Sequence, residues 1–136
     1  KKIKLLKIKN MKFYGLNLIK KDGKIEDADQ FYSNISKFFM IINPIHPISL
    51  TLTSKFYLIY LNGGFCINEL PPVIPPKLLK FKELIFYKTE KELIDKIEFF
   101  KKNIPMYKSI KKEIYEISKN LEIETFNEFK KNFIKS

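Results

Sequence analysis

The run FFMIINP at residues 38–44 constrains the fold more than any other stretch. It is continuously apolar, of strand length, and closed by Asn43-Pro44, a breaker pair that opens a loop through His46 and Pro47. A strand with one wet face alternates apolar and polar residues. A strand without that alternation is covered on both faces, the pattern of a parallel sheet flanked by helices. The neighbouring segments should therefore be helical, and long enough to cross back over the sheet.

The rest of the chain supplies that alternation. IKLLKI (3–8) is amphipathic and reads as a helix, and MKFYG (11–15) as a strand ending in glycine. After a polar turn with Asp22-Gly23, residues 27–37 read as a helix, with Asp27 or Asp29 as N-cap and Phe31, Tyr32 and Ile35 facing inward. TLTSKFYLIYLN (51–62) predicts a helix capped by Thr or Ser, and GFCIN (64–68) a short strand. Four prolines between 71 and 76 predict a loop in the segment 69–83. LIFY (84–87) reads as a further strand. Thr89 and Glu92 have capping-box spacing for a helix to about 102, with Leu93, Ile94, Ile97 and Phe100 on one face. Tyr107, Ile110, Ile114, Ile117 and Leu121 stripe a second helix, and Thr125 with Glu128 opens a third bearing Phe126, Phe129 and Phe133. The expected fold class is α/β, a Rossmann-like single domain over 1–136 with a mostly parallel sheet flanked by helices. In such sheets ligands sit at the carboxyl ends of strands beside helix N-termini, which directs attention to the loops at 15–27 and 43–55.

Composition narrows the function. With 45% hydrophobic and 15% aromatic residues, the 136-residue chain can bury a core, and its apolar runs are too short to span a membrane. Its basic start lacks the apolar region and cleavage site of a secretory signal. A lone cysteine, Cys66, excludes an intrachain disulfide, fits a reducing cytosol, and in a buried strand is inert packing. The net charge of +11 comes entirely from lysine, with no arginine. Specific nucleic-acid recognition favours the forked guanidinium, so none is expected, while peripheral contact with an anionic membrane stays open. The chain begins with Lys, not Met, which suggests a fragment.

Four segments resemble the C-terminal nucleotide-binding half of GT-B glycosyltransferases of the "glycosyl transferases group 1" type, and most closely the spore-maturation CgeB-like branch. MKFYG resembles the family's first strand ending in Tyr-Gly. FYSNISKFFMIINP resembles its helix-strand unit, TSKFYLIYLNGGFCIN its helix-Gly-strand unit, and KELIFYKTEKELIDKIEFFKKN its strand running into a Glu-rich helix. The resemblance implies half of a GT-B fold that binds a nucleotide sugar, with a separate N-terminal domain holding the acceptor. It further implies transfer, with retention, to a glycoconjugate, cytoplasmic location, no cofactor or metal, and no turnover by this chain alone. The chain departs from the pattern at three positions. Tyr57 stands where many members carry the Glu that holds the ribose hydroxyls, Ser49 where a first carboxylate would lie, and Lys55 where they have Arg.

The candidate donor-binding residues are Tyr14, Gly15, Thr51, Thr53, Ser54, Lys55, Tyr57, Gly63 and Gly64. Thr51, Thr53, Ser54 and Lys55 open a helix, where amides, hydroxyls and a cation suit a diphosphate; the same residues also make an ordinary N-cap with a solvated lysine. Gly63 and Gly64 allow close approach of a ligand, although a left-handed helix C-cap accounts for one of them. Tyr14 and Gly15 end a strand near the nucleotide in the family, or Tyr14 packs in the core. His46 is the one candidate for catalysis, or a surface residue; it has no nucleophile–base or metal spacing around it. Asp22, Glu26, Asp27 and Asp29 read as caps and a solvated turn. Two readings compete with the enzyme: a non-catalytic remnant of the fold serving as a partner-binding or structural module, and a basic binder of nucleic acid or membrane surface.

Overall fold

The computed structural model describes residues 32–45 and 47–134. The helix at 3–8, the strand at 11–15, the caps at Asp27 and Asp29, Phe31, and the site candidates Tyr14, Gly15 and His46 lie outside the described residues. Among the described residues three parallel strands form a sheet: β1 (Ile41–Asn43), β2 (Cys66–Glu69) and β3 (Phe86–Tyr87), in the order β1-β2-β3. Ile41 pairs with Cys66 and Asn43 with Asn68, while Asn68 pairs with Phe86 and Glu69 with Tyr87. Helix α1 (Ser54–Leu61) joins β1 to β2. A 3-10 segment Pro76–Phe81 and one α turn, α2 (Lys82–Ile85), join β2 to β3. Helices α3 (Glu90–Lys102) and α4 (Ile104–Ile134) follow, and α4 packs on both α1 and α3. The chain is thus α/β, with a parallel sheet flanked by helices.

Several boundaries differ from the expectation, each for a local reason. The strand predicted across 38–44 is only Ile41–Asn43, because Phe38 donates its N–H to Ile35 O (3.1 Å) and so belongs to the turn leaving a 3-10 helix. Phe39 stacks on Tyr107 of α4, with ring centroids 4.4 Å apart, instead of entering the sheet. The predicted loop at 69–83 holds the 3-10 segment from Pro76. A proline at the first helical position loses no hydrogen bond, so the cluster excludes helix before it but not after it. Leu84 and Ile85, expected in a strand, finish α2. The two helices expected after 104 are one, because nothing from 120 to 126 is a glycine or proline and a Thr-x-x-Glu spacing alone does not stop a helix.

Elsewhere local chemistry and structure agree. Thr89 Oγ1 accepts the Glu92 N–H (3.2 Å), and the return bond runs from Lys88 N–H to Glu92 Oε1 (3.3 Å). Asn103 ends α3, its Nδ2 donating to Phe99 O (2.8 Å), and Pro105 falls in the first turn of α4. The core is markedly aromatic. Phe65 packs against Phe100 and Tyr107 with centroids 4.9 and 4.6 Å away, and Phe56 against Tyr60 and Phe86 at 5.1 and 6.3 Å. Tyr60, Phe56, Phe65 and Phe100 are fully enclosed, the largest such side chains among the described residues.

Candidate functional site

Helix α1 has two chemically different ends, and they separate the predicted site residues. At its carboxyl end the Gly64 N–H donates to Ile59 O (2.9 Å) and the Gly63 N–H to Tyr60 O (3.1 Å). This is the bond pair of a Schellman turn, and Gly63 has the φ of +84° that the turn requires. Gly64 is held by close packing, since a Cβ there would overlap Ile35 Cγ2. Both glycines therefore have complete structural roles at the amino end of β2. The eight residues of α1 separate them from Thr53 by about 12 Å of helix.

The other end of α1 opens at the carboxyl edge of the sheet. Phe56 stacks on Phe86, the register partner of Asn68, which fixes the first turn of α1 at the level where the strands end. Thr53 is the N-cap, extended at φ −85° and ψ 168°, yet its side chain makes no capping hydrogen bond. Ser54 and Thr51 are exposed, and Thr53, Lys55 and Tyr57 are half-buried. Burial lowers the pKa of the Lys55 ammonium, with Cys66 opposing, and raises that of the Tyr57 phenol. The structure thus brings Thr51, Thr53, Ser54, Lys55 and Tyr57 together and leaves Gly63 and Gly64 at the far end of the helix.

Sequence reasoning missed the polar ends of the strands themselves. Asn43 Nδ2 donates to Asn68 Oδ1 (2.6 Å), and Asn68 Nδ2 donates to Glu69 O (2.7 Å). Asn43 and Asn68 are only 5% and 2% exposed, so this bond spans the last paired position of β1 and β2. Glu69 Oε1 accepts the Ile45 N–H (3.0 Å), and the Val73 N–H donates to Leu50 O (2.8 Å). These two bonds clip the loop after β2 to the loop after β1, shaping the edge that α1 overlooks. The available signal was that two apolar runs, IIN and CINE, both end in asparagine. Their pairing could not be known before the register was.

The remaining nucleophile is inert. Burial pushes the Cys66 thiol far up, with Lys55 opposing, and encloses it fully. A protonated, inaccessible thiol attacks nothing. Among the described residues no group of three acidic, cysteine or histidine side chains could hold a metal ion, and no helix is long and apolar enough to cross a membrane. A shallow depression of about 300 Å³ lies by the carboxyl end of α1, lined by Tyr60, Gly63, Lys108, Lys111, Lys112 and Tyr115. No family model, curated protein or solved structure matches the chain.

Proposed function

We propose that this chain is the nucleotide-sugar-binding half of a GT-B glycosyltransferase, holding the donor diphosphate at the carboxyl edge of its parallel sheet. The observation that carries this reading is the β1–α1–β2 unit. Its helix opens at that edge with a threonine whose side chain makes no capping bond and a half-buried lysine at the second helical position. Amides of a first helical turn carry partial positive charge, and a lysine beside them adds a full one. As a sugar leaves its donor, negative charge grows on the diphosphate, and fixed positive groups lower the barrier by meeting it. Partial burial strengthens the effect because less water screens the charges. Acceptor binding falls to a separate domain. Ile48, Leu50 and Val73, which are 86%, 72% and 54% exposed on the clipped loops, supply apolar surface for it at the same edge.

Calorimetric titration of the full chain with ADP, CDP, GDP and UDP at fixed ionic strength tests the reading. One diphosphate should bind saturably, and Lys55→Ala should weaken it roughly tenfold, the value of one charge-assisted contact. Equal affinity in the variant would remove Lys55 from the site. Failure of all four to bind would favour the non-catalytic remnant, which Tyr57 at the family's carboxylate position already motivates.

A second reading draws on the depression at the other end of α1. Lys108, Lys111 and Lys112 lie within two turns of α4 and line one apolar notch, a surface suited to acidic lipid or another polyanion. Such binding would follow ligand charge and fade at moderate salt, whereas diphosphate selectivity would persist.

A further inference from the structure

Glu69 and Tyr87 end adjacent parallel strands as register partners, so their side chains leave one face of the sheet at its carboxyl edge, about 4.8 Å apart along the hydrogen-bonding direction. The half-buried Glu69 carboxylate is oriented through one oxygen only. Oε1 takes the Ile45 N–H at 3.0 Å, and among the described residues Oε2 accepts no hydrogen bond. Tyr87 is 6% exposed, and among the described residues its hydroxyl has no hydrogen-bond partner. No buried side-chain polar atom among those residues lacks a partner, so this hydroxyl reaches solvent. Burial, and secondarily the Glu69 charge, raise the phenol's pKa and keep it a donor.

An oriented acceptor beside a protonated donor selects among ligands. An anion is repelled by the carboxylate, and a lone amine leaves the phenol donor unused. A pair of neighbouring hydroxyls satisfies both groups, one donating to the carboxylate while the oxygen of the other accepts from the phenol. We propose that Glu69 Oε2 and the Tyr87 hydroxyl bind a vicinal hydroxyl pair of a sugar at this edge. The assignment rests on the donor-site reading and adds a sugar contact to groups that otherwise recognise only charge. The hydroxyl pair belongs either to the ribose or to the transferred sugar.

The test titrates the full chain, wild type and Glu69→Gln, with whichever of ADP, CDP, GDP and UDP binds tightest, with its 2′,3′-dideoxy counterpart, and with its glucose conjugate. Glutamine keeps an oxygen for the Ile45 N–H, so the loop clip survives, while its amide replaces the acceptor. If the ribose is held, the wild type should prefer the ribose form over the dideoxy form roughly tenfold or more, and Glu69→Gln should close that gap. If the transferred sugar is held, the gap should lie between conjugate and bare diphosphate and close in the same way. Tyr87→Phe should narrow the same gap, and circular dichroism confirms folding of each variant. A wild type that shows neither gap, or gaps that persist in Glu69→Gln, would overturn the assignment and leave diphosphate binding intact. Absence of binding by all four diphosphates would overturn the donor-site reading and this assignment with it.

Discussion

Replacing Gly64 with alanine should destabilise the protein more than the same change at Gly63, although the two are neighbours in one turn. A Cβ on Gly64 would overlap Ile35 Cγ2 and stand 3.0 Å from both Ile59 Cγ2 and Ile59 O. Ile35 and Ile59 are both 0% exposed, so neither side chain has solvent to move into. Ile59 O also accepts the Gly64 N–H at 2.9 Å, which ties the obstructing carbonyl to the residue being enlarged. Overpacking of this kind costs about 1–3 kcal/mol, and an obstruction that includes backbone belongs at the upper end, about 3 kcal/mol. At Gly63 the added Cβ meets only Ser36 Cβ, at an ordinary 3.4 Å, and the cost is the left-handed φ of +84°, about 1–2 kcal/mol. For a chain of this size that is roughly a 10 °C drop in Tm for Gly64→Ala and about half that for Gly63→Ala. Urea and thermal unfolding followed by circular dichroism would measure both. A Gly64→Ala protein within about 0.5 kcal/mol of wild type, or less destabilised than Gly63→Ala, would refute the packing account of this corner.

Two further outcomes test the sheet edge and the core. Asn43→Ala and Asn68→Ala should each cost about 1–3 kcal/mol, since each leaves a buried amide without its 2.6 Å partner, and the double variant should cost clearly less than the sum; additive losses in a urea double-mutant cycle would show that the two amides are not coupled. Alkaline pH should destabilise the fold, because burial raises the Cys66 thiol above its ordinary 9.0 and the Tyr60 and Tyr87 phenols above 10.0. Protonated forms are then held better by the folded chain, so this stability is whole below about pH 9 and declines as pH rises further; the lowered Lys55 opposes the decline only in part. A urea midpoint that holds or rises from pH 8 to 10.5 would contradict the burial of these groups.

Much of the architecture was legible in the sequence because its signals are local. Apolar runs closed by Asn-Pro or opened by Gly-Gly marked β1 and β2, and the Thr89–Glu92 spacing marked the start of α3. What was missed depends on contacts distant in sequence. Phe39 left its strand because Tyr107, 68 residues away, offers both a ring and a hydroxyl that donates to Phe39 O. The site was half legible for the same reason. Thr53 and Lys55 could be found from helix-start chemistry, but Asn43, Asn68, Glu69 and Tyr87 become a polar edge only through a parallel register. Gly63 and Gly64 carried a signal with two meanings, and the Schellman bonds supply the structural one.

Where a diphosphate lands on the chain decides between the two ends of α1. Amide shifts of the isotopically labelled full chain, titrated with the tightest of ADP, CDP, GDP and UDP at fixed ionic strength, would locate it residue by residue. A donor site at the carboxyl edge gives saturable shifts concentrated at Thr53–Phe56 and at the strand ends around Asn43, Asn68 and Glu69, with Gly63 unmoved. Shifts gathered instead on Lys108, Lys111 and Lys112, or no saturable shift with any of the four, would contradict a donor site at the carboxyl edge of the sheet.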